Sequence, residues 1–160
     1  MIIHPILPVF DRDSRVLILG SFPSVKSREA GFFYGHPQNR FWKVTAAVFG
    51  EDVPRTIEEK RAFLLRNHIA VWDVIHSCEI EGSSDASIRN VVANDLRVIL
   101  DAAPIEAIYV NGKTALKYYE IYIQPTIHRP ATCLPSTSPA NAAWNTERLV
   151  AEWKRVRIGQ

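Results

Sequence analysis

A chain of 160 residues, 47% hydrophobic and 22% charged, has the make-up of one globular domain that buries its core without disulfides or metals to hold it together. A formal net charge of +2 excludes the strongly basic footprint by which charge alone would point to nucleic acid. Cys78 and Cys133 are too few and too far apart for a zinc site or an iron–sulfur cluster and read as reduced thiols.

No apolar run approaches the length of a membrane span, and the opening Met-Ile-Ile-His-Pro lacks the basic start and small-residue cleavage site of a signal peptide, so a cytoplasmic protein is expected. Arg15 to Gly20 is a continuous apolar run closed by glycine, the pattern of a strand buried on both faces. A loop follows to Gln38. From Asn39 the apolar positions Phe41, Trp42, Val44, Ala47 and Val48 recur at helical spacing until Gly50. Thr56-Ile-Glu-Glu59 has the capping-box pattern of a second helix. Ile69 to Ile75 reads as a second buried strand, Cys78 to Asn90 as a turn-rich loop, and Asn94 as the cap of a helix over Asp95 to Ala102. Ile105 to Val110 is the third predicted strand, followed through Asn111-Gly112 by a helix from Lys113 to Tyr122. Pro130 to Leu134 is the fourth, and a last helix is expected from about Asn141 to Val156.

Strands alternating with helices predict an α/β fold, a three-layer α/β/α sandwich around a central four-stranded parallel sheet, with residues 1–160 as one domain. Ligands of such sheets bind beyond the carboxyl ends of the strands. Here those ends gather Gly20–Asn39, Trp72–Asp85, Asn111–Gly112 and Pro135–Asn141. The densest of these is Tyr34-Gly-His-Pro-Gln-Asn-Arg-Phe-Trp42, with more aromatic and hydrogen-bonding side chains than a connector needs.

Three segments, Gly20-Ser-Phe-Pro-Ser24, Tyr34 to Trp42, and Leu134-Pro-Ser-Thr-Ser-Pro-Ala-Asn141, together resemble the uracil-DNA glycosylase superfamily, and within it the hypoxanthine-DNA glycosylase branch, the sixth family. The likeness runs from about Arg15 to Val156, and the segment around Asn39 is its specific part. The resemblance implies a parallel four-stranded sheet flanked by helices and hydrolysis of the bond between a deaminated base and its sugar in double- or single-stranded DNA. No cofactor or metal is expected, and a monomer is. Phe22 stands where the superfamily normally has an Asp or Asn that positions the attacking water. The sixth-family pattern places the catalytic residue at Asn39 instead. Ser136 stands where uracil glycosylases of the first family have a catalytic His, and Ala140 where they have a leucine wedge. The mismatch-specific relatives stack the base on the aromatic matching Tyr34, and several relatives read the base edge at the strand end matching Asp73.

Cleaving an N-glycosidic bond builds positive charge on the sugar and negative charge on the base, so both ends need help and a water must be delivered. Asn39 offers a carbonyl acceptor to orient that water. Tyr34 and Phe22 are candidate stacking faces, Phe22 equally a plug at the end of the sheet. Asp73 accepts and cannot donate, which favours a base presenting a ring N–H over adenine; a cap of a nearby loop or a pair with Arg89 is the plain alternative. Gly20, Ser21 and His36 complete the expected substrate contacts. Ser136, Ser138, Asn141 and Lys113 are the candidate DNA contacts, the serines because a helix N-terminus there would attract phosphate. Lys26 is the one lysine to check for Schiff-base chemistry, and an enzyme leaving an abasic site is expected. Uracil or mismatch excision, and binding of a damaged base without cutting, are the competing readings. A serine hydrolase built on Ser21 lacks the Gly-x-Ser-x-Gly elbow.

Overall fold

In the computed structural model, which describes residues 1–158, four parallel strands make the central sheet in the order β3-β2-β6-β7. These are β2 (Val16–Gly20), β3 (Ile69–Asp73), β6 (Ala107–Asn111) and β7 (Thr132–Leu134). Every residue of β2 and β3 is buried, which is why both read as unbroken apolar runs rather than alternating ones. β3 is an edge strand, yet it is not open: Val9 and Val71 exchange both backbone hydrogen bonds at 3.0 and 2.9 Å. The N-terminal segment thereby covers an edge that could otherwise pair with another chain.

From β2 the chain moves to β3 on one side and then to β6 on the other. The direction of winding reverses between β2 and β6, and a crevice opens beyond their ends, at Gly20 and Asn111. Among the described residues seven α-helical segments accompany the sheet: α1 (Val25–Ala30), α2 (Phe41–Phe49), α3 (Ile57–Arg66), α4 (Arg97–Leu100), α5 (Lys113–Tyr118), α6 (Gln124–Ile127) and α7 (Thr146–Trp153). The capping box at Thr56 and Glu59 is formed, and Gly50 closes α2 at φ 67°, a conformation glycine adopts without strain. Fully buried Phe41 of α2 meets fully buried Trp153 of α7 edge to face, with centroids 5.8 Å apart. These two rings lock the helix that begins at the dense motif to the last helix of the chain.

Several sequence expectations change. The second strand does not run on to Ile75: the backbone breaks at Val74, and β4 (Ile75–Glu79) pairs with β5 (Arg89–Ala93) and β1 (Ile2–Ile3) in a separate antiparallel sheet. The stretch read as a loop is therefore the connection and adjoining strand ends of a β-hairpin, hidden by its short strands and mixed polarity. Asn94 is no helix cap. It is buried, and its Nδ2 donates to the backbone oxygens of Asp73 and Ile75 at 2.9 and 3.2 Å, satisfying the carbonyls that the break would otherwise strand. α1 was missed; Ser24 caps it by accepting from Ser27 N at 3.1 Å. The helix after Gly112 widens into a π turn at Tyr119–Ile123, because Pro125 lacks the N–H that would bond to Ile121. The last helix begins at Thr146, capped by Asn145, so residues 136–144 form a looped segment before it.

Candidate active site

A cleft of about 1210 Å³ opens at the switch point, and all four strand-end segments line it. Gly20, Ser21, Phe22, Tyr34, His36, Asn39, Asp73, Lys113, Ser136, Ser138 and Asn141 all contribute to its wall, so the structure brings every expected site residue together around one opening.

A buried carboxylate stands in its wall: Asp73, at the end of β3, is 4% exposed. Asp73 does not pair with Arg89. Its Oδ2 lies 2.7 Å from Nε2 of His4, carried in from the N-terminal segment. Among the described residues no hydrogen bond reaches Oδ1. A side chain at Gly20 would overlap that oxygen and come within 3.2 Å of the Tyr34 hydroxyl, so glycine is required here for the close approach of a carboxylate, not for an unusual φ.

Tyr34 takes a left-handed φ of 53°, strain of about 1–3 kcal/mol that a tyrosine carries only when its surroundings impose it. One face of its ring stacks on Phe41, with centroids 4.0 Å apart and planes 13° from parallel. A base can use only the opposite face. Its hydroxyl is buried beside the Asn111 side chain, with no hydrogen bond of good geometry among the described residues. Burial, and secondarily the charge of Asp73, push the phenol far above its ordinary range; it stays protonated and available as a donor.

Asn39 sits in a polar network. Its Oδ1 accepts from Phe41 N at 3.0 Å, satisfying an orphan N–H at the start of α2, and from Thr137 Oγ1 at 2.9 Å. Asn111 in turn donates from Nδ2 to Thr137 Oγ1 and accepts from Thr137 N, each at 3.0 Å. The carbonyl oxygen expected to orient a water is thus already engaged by two protein donors. What Asn39 offers is its Nδ2 amino group, which has no protein partner among the described residues.

Arg40 was not singled out by the sequence and organises the opposite wall. Its backbone N donates to Thr137 O at 3.1 Å, and its guanidinium donates to the carbonyls of Ser138 (2.8 Å), Asn141 (3.1 Å) and Trp144. One cation holds the whole 138–144 loop against the Asn39 segment. Arg40→Ala should cost about 1.5–3 kcal/mol in urea unfolding and make that loop the first site of limited proteolysis. Proteolysis unchanged from wild type would contradict the clamp.

The serine expectation is corrected in its geometry. Ser136 Oγ accepts from Ser138 N at 3.1 Å and Ser138 Oγ from Ala140 N at 3.2 Å; both close local turns, eight or more residues before α7. A phosphate here would meet hydroxyl donors, not the positive end of a helix. Asn141 Nδ2 donates to Ser136 O at 3.0 Å and tightens the same loop. His36 accepts from Gln38 N at Nδ1, 3.1 Å away, which leaves its proton on Nε2 as a second donor at the rim. Phe22 packs its edge against the His4 ring at 5.9 Å with Arg28 over its face at 5.6 Å. Lys113 is exposed at the first turn of α5. Among the described residues no group of three or more His, Cys, Asp or Glu is gathered as metal ligands would be. No described helix is long and apolar enough to cross a membrane.

Comparison with known proteins bears on what this cleft is. The sequence model of the Uracil DNA glycosylase superfamily matches residues 7–157. The chain belongs to that superfamily. It is 33% identical over 153 residues to a hypoxanthine DNA glycosylase of Methanosarcina acetivorans, covering 92% of this chain and 93% of that one. To the hypoxanthine DNA glycosylase of Methanosarcina barkeri it is 35% identical over 116 residues, 71% of this chain and 73% of the relative. A solution NMR structure from M. acetivorans, described as a candidate uracil DNA glycosylase, superposes with a TM-score of 0.80 at 32% identity, over 94% of this chain and 93% of that one.

Proposed function

We propose that this superfamily member is a monofunctional DNA glycosylase that excises hypoxanthine from deoxyinosine by hydrolysis and leaves an abasic site. The observation that carries the reading is Asp73, a buried carboxylate fixed on one oxygen by His4 and open on the other. An ionised carboxylate only accepts, and hypoxanthine presents a ring N–H where adenine presents a lone pair. Adenine would therefore bury two acceptors against each other, the kind of mismatch that rejects a close analogue most strongly. The names of the Methanosarcina relatives support the same base.

A flipped base would lie against the free face of Tyr34, with Phe22 beside it, Gly20 and Ser21 admitting it closely, and the Tyr34 hydroxyl and His36 Nε2–H as donors. Asn39 is the catalytic residue. Its amino group donates to the departing base as negative charge develops there, the role of an oxyanion-hole donor. Ser136, Ser138, Asn141 and Lys113 would meet the DNA backbone around the lesion. The protein would act in the cytoplasm as a monomer, on duplex or single-stranded DNA. Lys26, the lysine to check as a Schiff-base nucleophile, is exposed and pairs with Glu29 at 3.7 Å, and Lys113 is exposed at the wall of the cleft. Uracil is the second reading, because its imide N–H satisfies the same carboxylate.

The test is an oligonucleotide panel carrying hypoxanthine, uracil, xanthine or adenine at one position, read as strand cleavage after alkali. Hypoxanthine should be excised fastest and adenine slowest. Faster uracil excision would favour the second reading, and no alkali-labile site on any lesion would leave a binding protein. Asp73→Asn should reduce the hypoxanthine-to-adenine rate ratio by about 10- to 10²-fold, the worth of one hydrogen bond to a charged group. An unchanged ratio would remove Asp73 from base reading.

A further inference from the structure

We infer that His4 is a positioning residue that sets the protonation state of Asp73, and through it the choice of base; the inference rests on the reading of Asp73 as the base-edge group. Nothing in the dense motifs contains His4. It arrives because β1 pairs with β4, Ile2 opposite Cys78 and Ile3 opposite Ser77, and His4 N continues the ladder to His76 O at 2.7 Å. That register lays the imidazole across the end of β3.

The ring's bonding fixes its state. Ile6 N donates to Nδ1 at 3.2 Å, so Nδ1 holds a lone pair and the proton is on Nε2, which donates to Asp73 Oδ2 at 2.7 Å. The two side chains are 2% and 5% exposed. Phe22 and Phe33 wall the imidazole at centroid distances of 5.9 and 6.1 Å. The other ionisable groups facing the pair are Tyr34, from the loop before α2, and Arg28 of α1 beyond the Phe22 ring.

A carboxylate in such a place, deprived of its donor, would take up a proton to escape the cost of a buried charge. The consequence for recognition is an inversion. Ionised Asp73 suits the ring N–H of hypoxanthine. Protonated on Oδ1, the oxygen open to the cleft, Asp73 would donate to adenine's ring nitrogen instead of opposing it. The N–H of a neutral histidine thus keeps the normal base out by keeping a proton off the aspartate.

His4→Phe should lower the hypoxanthine-to-adenine ratio about 10- to 10²-fold at about pH 6 and regain it as pH rises to about 9. His4→Gln, whose amide N–H takes the place of Nε2–H, should keep the wild-type ratio across that range. A His4→Phe ratio equal to wild type at every pH overturns the inference, as does a loss shared by both variants that does not respond to pH. If His4→Phe fails to fold, ¹⁵N spectra of the wild type decide: a neutral ring protonated at Nε2 is expected, and a proton on Nδ1 or an imidazolium overturns it. An Asp73→Asn ratio that falls while His4→Phe stays at wild type rejects the role of His4 alone, whereas no change in either rejects the reading of Asp73.

Discussion

Asn39→Asp should fold like the wild type and lose about 10²–10³ in the single-turnover rate of hypoxanthine excision, the usual cost of removing one donor from a developing anion. The substitution separates the two ends of the amide. Both oxygens of the aspartate accept, so the bonds from Phe41 N and Thr137 Oγ1 persist, while the amino group facing the cleft is replaced by a charge of the wrong sign for a departing base. Asn39→Ala removes both ends. It should lose activity to a similar degree and also about 1 kcal/mol of stability, because the first turn of α2 loses its side-chain acceptor. If Asn39→Asp matched or exceeded wild-type rates, the acceptor side of residue 39 would be the working side, and activation of water would be its role.

This residue also shows how far the sequence could be read. Its position at a loop-to-helix junction beyond a strand end, among aromatics, was visible, and so was the parallel sheet, because β2 and β3 are buried enough to leave apolar runs. Which atom of Asn39 is free was not visible. That depends on Thr137 and Phe41, one of them 98 residues away in sequence. Thr137 and Arg40 lie inside the recognised motifs, but only their tertiary bonds reveal that they lock two motifs together. His4 left no trace at all, since it reaches Asp73 across 69 residues through a two-residue strand too short to give a pattern. The β4–β5 hairpin escaped for a related reason: a small sheet carrying exposed residues offers neither a continuous apolar run nor a clean alternation.

Gly20→Ala is expected to be the most damaging single methyl in the protein. The added carbon would overlap Asp73 Oδ1 and press on the Tyr34 hydroxyl, and neither can retreat freely. Asp73 is held by His4, and Tyr34 is clamped against Phe41. Moving the carboxylate lengthens a buried hydrogen bond, and moving the ring disturbs the α2–α7 contact behind it. Overpacking of this kind costs about 1–3 kcal/mol, to be read from the urea midpoint. Excision of hypoxanthine should fall by more than the stability loss accounts for, because the displaced oxygen is the one proposed to meet the base. A Gly20→Ala protein with wild-type rates and only a stability defect would place the base elsewhere in the cleft.

The most direct test of hydrolytic excision is product analysis under single-turnover conditions on a deoxyinosine duplex. Free hypoxanthine should appear in one-to-one proportion with sites that break only after alkali, with no strand scission beforehand and no enzyme–DNA adduct trapped by borohydride. Tight retention of the duplex with no free base released, or cleavage before alkali, would contradict the account.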